Sequence, residues 1–161
     1  MRLVNHVNSL ILKEIESQEN IVLFGQNISA GSCLGGLTKG IKESNGSTVI
    51  NTQNSENTLV GIGFGLMLNE VSSVFFMKQM DFLLLGVDHL VNTYNILRQK
   101  DHVASFTIMP IVVDSGYEGP QSSLNNFDDF CSIGGVEGFS FTNKIDAEKI
   151  LSRYLIKPGF R

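Results

Sequence analysis

The chain has 161 residues, 42% hydrophobic and 17% charged, with a formal net charge of −4. That composition excludes a disordered chain, and the acidic balance leaves no basic footprint for nucleic acid or an anionic membrane. The length is one domain's worth: too short for a large two-domain enzyme, yet enough to bury about 70% of the unfolded surface without metal or disulfide staples.

The elements alternate along the chain. Leu3, Val7, Leu10, Ile11 and Ile15 fall at helical spacing, which predicts an amphipathic helix over 2–17. Ile21 to Phe24 is a continuous apolar run ending at Gly25, the pattern of a buried strand. A Gly- and Ser-rich stretch from Ser29 to Gly36 precedes a helix-like segment that stops at Asn45-Gly46. Thr48 to Asn51 reads as the second strand, and Ser55 as the N-cap of a helix to Asn69. Val74 to Met77 is the third strand. The longest expected helix, 81–99, is apolar on nearly all sides, which predicts burial, much of it against a partner chain. Phe106 to Val113 is the fourth strand, with Pro110 marking an irregularity. A loop over 114–126, a fifth strand over 138–141 and a helix over 145–155 complete the pattern. Such alternation predicts an α/β domain, three-layer α/β/α, with a mostly parallel sheet. Ligands then bind outside the carboxyl ends of the strands, in the loops after residues 24, 51, 77 and 113.

Several motifs have plain local readings. The glycines of Val60-Gly61-Ile62-Gly63-Phe64-Gly65 lie inside a helix, so they serve close packing rather than a dinucleotide. His6, His89 and His102 have no second histidine or cysteine at ligand spacing, so no metal site is expected. Cys33 and Cys131 form neither a metal pair nor a disulfide framework, which suits a reducing compartment. Residues 1–6 lack the apolar run of a signal peptide, and no apolar run reaches the ~18 residues of a membrane span. A cytoplasmic protein is the expectation.

The order of the motifs says more than any one of them. Asn51-Thr52-Gln53-Asn54-Ser55-Glu56 precedes the Gly-rich helix, then come Met80-Asp81-Phe82, Val87-Asp88-His89-Leu90-Val91-Asn92 and Glu118-Gly119-Pro120. This series resembles the pyrimidine-binding domain of thiamine diphosphate enzymes, in the group of transketolases and 2-oxo acid dehydrogenase beta subunits. The resemblance covers nearly the whole chain. It implies the thiamine diphosphate-binding fold, with 1–161 forming a single pyrimidine-binding domain that lacks a final strand and a C-terminal domain.

The resemblance also implies roles. Glu56 would hydrogen-bond the N1′ atom of the cofactor's aminopyrimidine and so promote formation of the ylid. Phe82 would pack on the pyrimidine face, with Asn54 and Met80 walling the slot. Gln26 stands where the family often carries a glutamate, Gln79 replaces an aromatic, and Gln121-Ser122-Ser123 stands where a catalytic histidine is usual. No Gly-Asp-Gly with a downstream Asn is present, so Mg2+ and the diphosphate would be held by a partner chain, in a homodimer or heterotetramer. The implied substrates are 2-oxo acids or ketose phosphates. The competing expectation is a degenerate family member, a non-catalytic structural or ligand-binding partner subunit.

Overall fold

The computed structural model describes residues 2–44, 46–112 and 125–161. In chain order the elements are α1 (Leu3–Glu16), β1 (Ile21–Gly25), β2 (Ser47–Asn51), α2 (Glu56–Leu68), β3 (Ser72–Met77), α3 (Tyr94–Leu97), β4 (Ser105–Pro110), α4 (Phe127–Gly134), α5 (Lys144–Tyr154) and β5 (Gly159–Phe160). The five strands form one parallel sheet in the order β2-β1-β3-β4-β5. Helices cover both faces, giving the three-layer α/β/α architecture expected from the alternation.

Period-two burial explains the layers. Leu23, Val74 and Phe76 point to one face, where they meet Val7, Ile11 and Ile15 of α1 and Ala147 and Leu151 of α5. Phe24, Phe75, Met77 and Phe106 point to the other, where α2 lays down Leu59, Val60, Phe64 and Met67. Burial on both faces is why β1 and β3 read as unbroken apolar runs rather than alternating ones. The second layer is aromatic. Phe24 stacks on Phe75 with centroids 5.1 Å apart, and Phe64 meets Phe106 edge-on at 5.1 Å and Phe160 at 4.8 Å. Each such pair adds about 0.5–1.5 kcal/mol beyond its area.

Four expectations are corrected. The segment 81–99 is not one regular helix. It winds as a 3-10 turn (Met80–Gly86), a π turn (His89–Thr93) and the short α3. Leu83, Leu90 and Leu97 are buried, but Leu84 and Leu85 are 60% and 63% exposed. Residues 138–141 form no strand. The edge of β4 they would need is taken by the chain end: Gly159 N–H donates to Ala104 O at 2.9 Å, and Arg161 N–H to Phe106 O at 3.0 Å. After Gly36 no helix forms, because Gly31, Gly35, Gly36 and Gly40 all adopt positive φ. Finally α4 has no counterpart among the expected elements, although Asp128 and Asp129 in its first turn and the left-handed Gly135 at its end are ordinary helix signals.

The α2 glycines divide. A Cβ at Gly63 would stand 2.1 Å from the Phe106 ring and one at Gly61 2.8 Å from His89, whereas one at Gly65 meets nothing within 4 Å. Gly63→Ala should therefore destabilise the fold by about 1–3 kcal/mol through overpacking. Gly65→Ala should stabilise it by about 0.5–1 kcal/mol through helix propensity. Urea denaturation midpoints of the two variants should move in opposite directions.

Candidate functional site

The strand order reverses around β1: the chain goes to β2 on one side, then crosses to β3 on the other. The carboxyl ends of β1 and β3 are thus the switch point of the sheet, where open parallel sheets hold ligands. Position 25 there must be glycine. Its φ is +148°, and a Cβ would lie 2.2 Å from the Phe76 carbonyl oxygen. Gln26, half-buried, starts the loop that leaves β1.

The rim on the β2 side is tied by hydrogen bonds. Thr52 N–H donates to Gly25 O at 3.1 Å, Ser29 N–H to Asn51 Oδ1 at 3.1 Å, and Asn51 Nδ2 to Ser29 Oγ at 2.5 Å. The Thr52 hydroxyl is buried with no partner among the described residues. Asn54 is exposed. Ser55 occupies the N-cap position, but its hydroxyl engages Thr58 Oγ1 at 2.9 Å instead of a backbone N–H. Glu56 follows as the first residue of α2 and is 7% exposed. Among the described residues no hydrogen bond or ion pair engages its side chain, and it stands at the positive end of the helix dipole.

On the β3 side the chain is pinned at the sheet edge, with Ile111 N–H donating to Met77 O at 3.2 Å and Met80 N–H to Ile111 O at 3.0 Å. Gln79 is 8% exposed and Met80 is buried. Oδ1 of Asp81 is buried and unpartnered. Phe82 is half-buried against the α2 core cluster. The Met80–Gly86 turn ends on α2: a Cβ at Gly86 would lie 2.7 Å from Val60 Cγ2 and 3.5 Å from the Glu56 carbonyl oxygen.

The structure therefore brings Glu56 onto the same packed unit as Met80 and Phe82. Gln26 and Asn54 lie on the β1 and β2 rims, and no described hydrogen bond joins either side chain to Glu56. Glu118-Gly119-Pro120 and Ser122-Ser123 lie outside the described residues. Thr52, Gln79 and Asp81 are polar groups of this edge that stood in or beside the sequence motifs but were given no site role. Their only signal is burial, which a lone sequence does not display.

The histidines are engaged elsewhere. His6 Nε2 lies 2.9 Å from Glu148 Oε1, out of line for a hydrogen bond. His89 Nδ1 meets Thr93 Oγ1 at 2.8 Å, and His102 Nε2 meets Leu97 O at 2.9 Å. Among the described residues no cluster of His, Cys, Asp or Glu could hold a metal ion, and no helix is long and apolar enough to cross a membrane. A separate cavity of about 670 Å³ opens along β4, lined by Ile108, Pro110, Phe127, Phe139 and Phe160 among others. It includes Met80 but not Glu56, Phe82, Gln26 or Asn54. Its walls are apolar and offer little to polar chemistry.

Cys131 lines that cavity. Burial raises its pKa, the nearby Asp128 carboxylate raises it further, and a hydrogen bond from the Gly138 backbone opposes both. The thiolate is the reactive form, so a raised pKa lowers reactivity at any given pH below it. Iodoacetamide at pH 8 should label Cys131 more slowly than free cysteine, and Asp128→Asn should speed that labelling, as read by mass spectrometry of the labelled peptide.

No protein-family model matches the chain, and no curated protein matches it.

Proposed function

We propose that the chain is the pyrimidine-binding half of a thiamine diphosphate-dependent enzyme, of the transketolase or 2-oxo acid dehydrogenase type. The observation that carries this reading is Glu56: a carboxylate 7% exposed, at the carboxyl edge of a parallel sheet beside its switch point, with no described protein partner. A carboxylate with no described protein partner at this edge is free to accept a hydrogen bond from a ligand nitrogen.

The groups present suit the pyrimidine end of the cofactor. Glu56, Asp81 Oδ1 and the Thr52 hydroxyl offer hydrogen-bonding atoms, and Phe82 offers an aromatic surface on the same unit. They do not suit the diphosphate end. Among the described residues of this edge the one cationic side chain is the exposed Lys78, and no metal cluster accompanies it. A partner chain with the diphosphate and Mg2+ ligands is therefore part of the proposal.

When bound, the cofactor supplies a carbon nucleophile for bonds beside a carbonyl, in 2-oxo acids or ketose phosphates. Glu56 would hold or share a proton at the ring nitrogen it faces. Val60 and the Gly86 turn seal its helix from behind.

The chain alone should bind thiamine diphosphate weakly, and a partner bearing Gly-Asp-Gly with a downstream Asn should make binding tight. In that complex, Glu56→Gln should slow deuterium exchange at the cofactor's C2 position by roughly a hundredfold or more, with assembly unchanged on gel filtration. Wild-type exchange in a Glu56→Ala complex would favour the non-catalytic partner subunit instead.

A further inference from the structure

We draw no further inference here: the strongest candidate, the apolar cavity of about 670 Å³ along β4, is bordered by Val112 and Asn125, which flank residues outside the described ones, and nothing in the structure shows what covers it.

Discussion

Phe106 has room in the core because position 63 carries no side chain. Its ring packs within stacking range of Phe24 and Phe160 and edge-on to Phe64, and it fills the space a Cβ on Gly63 would need. That one close approach sets the distance between α2 and the sheet. It also sets where α2 begins, because a rigid helix of 13 residues seated at Gly63 has its first turn fixed at the carboxyl edge. Glu56 is held by a contact two helical turns away from it.

The same dependence runs outward from α2 to the turn that follows β3. Gly61 admits the His89 ring, and Gly86 admits the Val60 side chain. These two small-residue contacts press the 80–97 segment along α2, and the segment yields by winding as 3-10 and π turns in place of a regular helix. Departures from α-helical winding often accompany functional sites. Here they carry Met80, Asp81 and Phe82 across the carboxyl edge toward Glu56. On the other side of β1, Gly25 lets its strand pass against the Phe76 carbonyl, so the switch point is tight at its base.

The sheet was readable because its signal is redundant. Each of the first four strands is announced by several apolar residues and bounded by Gly, Asn or polar turns, and the α2 stripe repeats through Leu59, Val60, Phe64 and Met67. Glu56 was readable because it sits at a fixed offset from the end of β2. Two of the errors share a cause. Residues 81–99 and 138–141 contain enough apolar side chains for a regular element, but their form depends on contacts distant in sequence. Gly86 meets Val60, Phe139 stacks on Tyr154 with centroids 4.1 Å apart, and residues 159–161 take the β4 edge first. The covered oxygen of Asp81, a residue the Met80-Asp81-Phe82 motif did contain, was invisible for the same reason. A half-exposed aspartate and one with a sealed oxygen are written with the same letter.

The carboxyl edge and the cavity along β4 differ in the kind of surface each presents. The cavity is wide and apolar, and filling it gains dispersion and hydrophobic contacts without demanding any orientation. The edge instead carries two oxygens without a described hydrogen-bond partner, Thr52 Oγ1 and Asp81 Oδ1, and such atoms gain more from oriented polar contacts than from an apolar filler. Oriented polar contacts are what a proton-handling carboxylate needs, because geometry precedes pKa in general acid–base work. Among the described residues no cationic cradle lies beside those oxygens, so this surface offers hydrogen-bond acceptors without a counter-charge for an anion.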